Sequence, residues 1–228
     1  MTNPQHGVLT RRALLAGTAT LVTGAAVGAP ARRDKRACNV KTYTSAEFYN
    51  ADGSFLVDKA GEAYFDMFRR FGYPISEKLR KEMWIRDFGL GDFAQVGMAG
   101  IFWLNRQDYG YFGHEIYLLP GQMIPEHRHV ATAKGPAKME SWQPRRGMIF
   151  TFGEGEPTPE YIDKIAASQR ALVHSRHCKP LGIDELADLN RREAWHFMVA
   201  GPEGALVTEY GTFHDMDGLK LSNPKAKA

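Results

Sequence analysis

The amino-acid sequence predicts an all-β chain, a sandwich or barrel, lying under an N-terminal helical cover. From about Gln95 the sequence breaks into short β-rich runs separated by Gly and Pro. Before that point, two segments carry apolar residues at helical spacing instead. Length sets the third constraint: 228 residues with 43% hydrophobic and 11% aromatic side chains can bury one good core and leave little room for a second. A single domain over residues 32–228 is therefore expected. The net charge of +3 is spread along the chain without a long basic run, so no nucleic-acid partner is expected.

Residues 1–31 read as a targeting segment. Arg11-Arg12 followed by Leu14-Leu15 resembles a twin-arginine export signal, and the stretch from Ala13 to Ala31 is uncharged but only weakly apolar. Ala29-Pro30-Ala31 offers a cleavage site before basic residues resume. The mature chain then starts near Arg32, periplasmic or secreted, with no stable membrane span; an uncleaved anchor or a plain tail is the alternative. Cys38 and Cys178 are too few to define a disulfide framework and are read as unpaired.

The helical part is expected over about 44–86. Ser45 can cap a helix, and Leu56, Ala60, Tyr64, Met67, Phe68 and Phe71 follow helical spacing up to the stop signals Gly72 and Pro74. Ser76 can cap a shorter helix through Leu79 and Met83 to about Arg86. These stripes are core packing that covers a sheet. Strands are expected near "QVGMAGIFWLN", "YFGHEIYLL", "EHRHV", "KMESW", "GMIFTFG", "RALVHSR", "EAWHFMV" and "ALVTEY". Irregular insertions run from Glu154 to about Asp163 and from Leu181 to Asn190. No glycine-rich phosphate loop, nucleophile elbow or internal repeat interrupts them.

The chemistry concentrates in "LLPGQMIPEHRHVATAKGPAKMESWQPRRG", Leu118 to Gly147. Residues i and i+2 of a strand share a face, so His127 and His129 aim at one place, as do Lys138 and Glu140. Gly121, His127, His129, Glu140 and Gly147 resemble the first motif of the cupin superfamily, G-x5-H-x-H-x(3,4)-E-x6-G, with "VATAKGPAKM" lengthening the gap before the glutamate. The second cupin motif normally adds one histidine; His196 is the candidate, without the usual P-x-G before it. The long gap, the lysine two before the glutamate, "LLPGQMIPEHRH" and "GPEGALVTEYGTFHD" together resemble the D-lyxose ketol-isomerase family of cupins, from about Arg86 through Asp217, with a poorer fit between Thr158 and Arg192. That resemblance implies a jelly-roll barrel, metal ligands at His127, His129, Glu140 and His196, manganese as the metal, and acid–base groups at Lys138 and Glu209.

The residue types support the same chemistry independently. Three imidazoles and a carboxylate suit a divalent transition ion and would leave positions open for a sugar carbonyl and hydroxyl. A lysine buried beside a cation would have a lowered pKa, useful for proton transfer near neutrality. Strand alternation permits Glu209 to face inward with Val207 and Ala205. The expected partner is a small-molecule sugar and the expected reaction aldose–ketose exchange, which the resemblance implies is between D-lyxose and D-xylulose; a homodimer is compatible with the chain. A noncatalytic metal-dependent sugar-binding cupin and a cupin dioxygenase are the rival readings. His174 and His177 would face opposite sides of a strand and are not read as a second metal cluster; His114 and His214 are read as pocket or surface residues, and Asp215 and Asp217 as possible sugar contacts.

Replacing Arg11 and Arg12 together by lysine should hold the protein in the cytoplasm, where a folded barrel loads its metal before export. Cell fractionation checks this, and secretion at the unchanged level would remove the twin-arginine reading.

Overall fold

The structure, a computed structural model, describes residues 40–228. The targeting segment and Cys38 lie outside the described residues. Helix α1 (Val57–Phe71) presents Ala60, Ala63, Tyr64, Met67 and Phe68 to the barrel, where they pack with Phe93, Ala99, Ile101, Tyr117, Leu119 and Leu206. The periodic apolar positions are thus the buried ones, and at about 25 cal/mol per Å² of apolar surface their burial is what holds the helix down. One polar tether fixes the register of this cover: buried Tyr64 donates to Gln122 Oε1 at 2.6 Å, and Gln122 Nε2 donates to the Phe93 carbonyl at 2.6 Å. Gly72 ends the helix in the left-handed conformation at φ 65°.

Three expectations for this region need correction. Ser45 is not a cap; it follows Thr44 as the first residue of a 3-10 turn (Ser45–Phe48), and its hydroxyl donates to Asp92 Oδ1 at 2.7 Å. Helix α2 is short, Glu77–Glu82, with Ser76 capping it by accepting from the Leu79 N–H. The chain then turns into strand β1 (Trp84–Arg86), because its backbone pairs with β2 (Met98–Arg106) instead of continuing the helix.

The remaining strands are β3 (Tyr111–Leu118), β4 (His127–His129), β5 (Glu140–Gly153), β6 (His177–Leu181), β7 (Ala187–Asp188), β8 (His196–Thr212) and β9 (Leu219–Leu221). All pair antiparallel in one curled sheet, β1-β2-β3-β8-β4-β9, with β5 joining β8 to β6 and β7. Two pairs of predicted strands have merged. "KMESW" and "GMIFTFG" form the single strand β5, bent by irregularities at Pro144/Arg146 and Gly147/Ile149, where a residue without an N–H costs no ladder bond. "EAWHFMV" and "ALVTEY" form β8. The run "RALVHSR" is a correction: it is turn and irregular chain, and the strand starts only at His177. The N–H groups of His174 and Ser175 donate to the buried Glu126 carboxylate at 2.9 Å and 2.6 Å, so they are not available to a ladder.

Gly147 has φ 69°, and a Cβ there would sit 2.0 Å from the Gly204 carbonyl oxygen. Gly147→Ala should therefore lose at least about 1–3 kcal/mol of folding stability from the backbone strain alone, read as a drop in the urea midpoint with unchanged slope.

Candidate active site

Strand β4 carries two of the candidate ligands and is flanked on both sides. His127 pairs with His196 of β8 on one edge and with Leu221 of β9 on the other. The alternation places His127 and His129 on one face, and Glu140, the first residue of β5, approaches them. Ligand atoms of His127, His129, Glu140 and His196 all lie within 4.8 Å of one another. His129, Glu140 and His196 are buried and His127 partly so. The four residues that strand periodicity and the motif brought forward do converge.

The protonation pattern fits a metal. His127 Nδ1 lies 3.0 Å from the Pro125 carbonyl and His196 Nδ1 lies 2.9 Å from the Ala194 carbonyl. A carbonyl only accepts, so each Nδ1 carries the proton and each Nε2 keeps its lone pair for a ligand. His129 Nε2, His196 Nε2 and Glu140 Oε1 are buried with no hydrogen-bond partner in the protein. Glu140 Oε1 stands 2.9 Å from His196 Nε2 and 3.4 Å from His129 Nε2, a close gathering of electron-rich atoms. Buried groups of this kind need a partner, and a divalent ion with nitrogen and oxygen preference is one that suits all four.

Beside the quartet, Lys138 Nζ donates to Glu140 Oε2 at 2.6 Å and to Glu209 Oε1 at 2.5 Å, all three residues being buried. Lys138 sits just before β5 and not within it, yet its side chain reaches the same side as Glu140. Glu209 faces inward with Val207 and Ala205, as alternation permits. Its second oxygen lies 2.7 Å from His114 Nδ1, so a continuous chain runs Glu140, Lys138, Glu209, His114. The ammonium also lies 4.1 Å over the Phe112 ring.

Electrostatics follow from this geometry. Burial pulls the Lys138 ammonium down, but the Glu140 and Glu209 carboxylates outweigh it and hold its pKa above the ordinary value. The expected lowering depends on a cation beside the lysine; without one, the two carboxylates set the direction. Burial pushes the Glu140 carboxyl up, while Lys138 and then His196 hold it well below the usual range. Burial lowers His127 to about 4, helped by His196, and takes His129 well below its ordinary value, helped by Lys138. His196 moves the other way; burial opposes its charge, but the adjacent Glu140 raises it.

A cavity of about 300 Å³ opens onto these groups. Its other walls come from residues the sequence reading did not assign to the site, including Trp84, Arg86 and Phe102, together with His114 and His214. Trp84 lay inside a predicted helix, so no signal in the sequence pointed to it. Asp215 and Asp217 do not line the cavity; they bind Thr132 and Lys134 near the surface, at 2.6 Å and 2.7 Å. His174 and His177 form no metal cluster. His174 Nδ1 binds Glu126 Oε2 at 2.9 Å and His177 Nδ1 the Glu156 carbonyl at 2.8 Å. Glu126, beside His127, was also missed: its buried carboxylate ties the 174–175 segment to the ligand strand.

No protein-family model matches the chain. It is 29% identical over 169 residues to the D-lyxose ketol-isomerase of Cohnella laeviribosi, covering 74% of this chain and 91% of that one. It is 26% identical over 185 residues to the D-lyxose/D-mannose isomerase of Thermosediminibacter oceani, covering 75% and 93%. The chain is thus similar over about three quarters of its length to curated D-lyxose isomerases. Among solved structures, the L-ribose isomerase of Acinetobacter sp. DL28 shares the fold with a TM-score of 0.59 at 15% identity, over 78% of this chain and 94% of that one. The barrel of this chain thus shares its fold with a sugar isomerase of known structure.

Histidines held neutral by burial make the barrel acid-sensitive. Between the ordinary histidine value of 6.5 and the lowered values of about 4 for His127 and about 3 for His214, the unfolded chain binds protons that the folded chain refuses. Stability of the metal-free protein should therefore fall as pH drops from about 6.5 towards 4, and chemical denaturation across that range measures it. A flat profile would contradict the burial of these rings.

Proposed function

We propose that this protein is a metal-dependent aldose–ketose isomerase whose favoured pair is D-lyxose and D-xylulose and whose metal is manganese. The buried Lys138 ammonium shared between Glu140 and Glu209, beside a His3Glu quartet, carries this reading. A noncatalytic sugar binder has no need of a buried proton-transfer chain, and oxygen chemistry has no use for the lysine. The names of the similar proteins support the pentose assignment. Export through the twin-arginine route belongs to the same proposal.

His127, His129, Glu140 and His196 would hold the ion, which when bound polarises the sugar carbonyl. The protein's own groups move the protons. Aldose–ketose exchange takes a proton from C2 and returns one to C1, while the C1 oxygen gains a proton and the C2 oxygen loses one. Glu209 is the carboxylate placed to accept the carbon-bound proton and return it at the neighbouring carbon. Lys138, kept as an ammonium by its two carboxylates, donates to the sugar oxygens as charge develops on them. Sharing Lys138 ties the ligand Glu140 to the base Glu209, so the two are positioned by one group.

Alanine at His127, His129, Glu140 or His196 should strip the metal and lower thermal stability, since an ion that binds only the folded chain stabilises it. Metal analysis after dialysis, alongside melting curves, tests this. His174→Ala should keep the metal, and loss there with retention in His196→Ala would sink the ligand set.

Lys138→Met and Glu209→Gln should keep full metal yet lose about a hundredfold to ten-thousandfold in turnover. Deuterium uptake at C2 of the sugar in deuterated water, followed by NMR, should vanish with them. Undiminished turnover in both variants would remove these residues from the reaction.

A further inference from the structure

The strand path β1-β2-β3-β8-β4-β9 ends at β1 on one side and at β9 on the other, and the segment after β9 runs from one end to the other. It leaves β9 beside the ligand strand, where the Ser222 N–H donates to the Glu126 carbonyl at 3.0 Å. It arrives just past β1, where the Lys227 N–H donates to the Phe88 carbonyl at 2.9 Å. Phe88 is buried and lines the cavity. Ala228, the next residue of the segment, lines the same cavity and is exposed, so it stands at the mouth and not on the floor.

Both ends of this crossing are fastened. Buried Asn223 donates from Nδ2 to Oε1 of buried Gln169 at 3.1 Å. Its Oδ1 accepts from the Lys225 N–H at 2.9 Å and its carbonyl from the Ala226 N–H at 3.1 Å, so one asparagine anchors the segment and shapes its turn. At the far end Phe88 and Gly89 both take left-handed backbone, at φ 54° and 65°, a conformation uncommon for an aromatic residue. The Lys227 stem lies against them, since a Cβ on Gly89 would stand 3.5 Å from Lys227 Cδ. Between the two ends, Ala226 packs on the apolar cluster that contains Phe88. A segment outside the sheet loses conformational entropy when it is held in one path, and here the ties that offset that loss hold it across the opening of the cavity.

We infer that residues 222–228 form a strap across the cavity mouth that sets the length of sugar the site admits. This rests on the isomerase reading and deepens it. With the reacting carbons held at the histidine–glutamate quartet and Lys138, every further carbon must fit in the rest of a cavity of about 300 Å³, whose mouth Ala228 narrows. Length is then read by exclusion and not by a hydrogen bond to the sugar, and a pentose is favoured over a hexose longer by one carbon.

The test uses metal-loaded full-length protein, D-lyxose and D-mannose as substrates of the two lengths, and xylitol and sorbitol as ligands that do not react. Lys227→Pro removes the N–H that Phe88 holds, Asn223→Ala frees the other end, and Ala228→Trp adds bulk at the mouth with both ties kept. All three should retain metal. Lys227→Pro and Asn223→Ala should raise kcat/KM for the hexose relative to the pentose by about tenfold, the scale on which one carbon is discriminated by fit. They should also narrow the calorimetric preference for xylitol over sorbitol, and Ala228→Trp should move both ratios the other way. Loss of turnover on both sugars alike with the ratios unmoved would make the segment merely structural and overturn the strap, as would a wild type with no preference for the shorter ligand. A wild type that isomerises neither sugar, but whose xylitol preference moves with the strap variants, would uphold the strap and overturn the isomerase reading. Isomerisation with the ratios unmoved in all three variants would do the reverse.

Discussion

A buried ammonium is tolerated only when it is paired, and the pairing of Lys138 with Glu140 and Glu209 is the constraint on which the centre of this barrel depends. Removing Lys138 would leave two buried carboxylates facing one another without a counter-charge, an arrangement that is strongly destabilising. The three residues come from different places in the sheet: one just before β5, one at its first position, one on β8. Their mutual attraction therefore fixes how β5 and β8 sit against each other at the end of the barrel that opens to the cavity, where the ladder pairs Trp142 with Glu209 and Glu140 with Gly211. Charge satisfaction and strand register select the same geometry. Neither alone would place the Glu140 oxygen against the imidazoles of His129 and His196.

The sequence made much of this legible because strand periodicity is short and strict. His127 and His129, two apart in β4, could hardly face anything but one another, while Lys138 reaches the side of Glu140 from irregular chain just ahead of β5. Helix α1 was equally readable, since Ala60, Tyr64, Met67 and Phe68 mark its buried face without ambiguity. What escaped was whatever tertiary partners decide. Trp84 carries as good a helical pattern as the residues before it, and only its pairing with Gly100 makes it strand. The segment 170–176 has the composition of a strand, but the Glu126 carboxylate, remote in sequence, captures two of its N–H groups. Pro144 and Gly147 look like breaks between two strands, and the structure absorbs both as bends in one.

The same distinction explains the electrostatics. A lysine two before a glutamate could be placed on a face by counting, but the sign of its pKa shift depends on which other charges arrive, and Glu209 comes from far along the chain. His114 could be read as a pocket or surface residue, but its contact with Glu209 could not, for a related reason. It lies on β3, and only the register of β3 against β8, with His114 opposite Glu209, brings the imidazole to the carboxylate. Local pattern identifies faces, while neighbours across a sheet are set by the order in which strands are assembled.

Strand β4 is the least anchored part of this arrangement, and that has a consequence for exchange of the ion. It is three residues long, touches β8 at the single pair His127 with His196, and otherwise leans on the equally short β9. Its firmest attachment is sideways, through Glu126 to the backbone of His174 and Ser175. Opening of such a segment requires far less than opening of the long β3, β8 and β5 ladders, so it belongs to the low-energy end of native-state fluctuations. Two imidazoles would leave together when it lifts. The lifetime of an ion held there would then be governed by sub-global breathing of one short strand, and amide protons around His127 should exchange in step with its release while the large sheet stays protected.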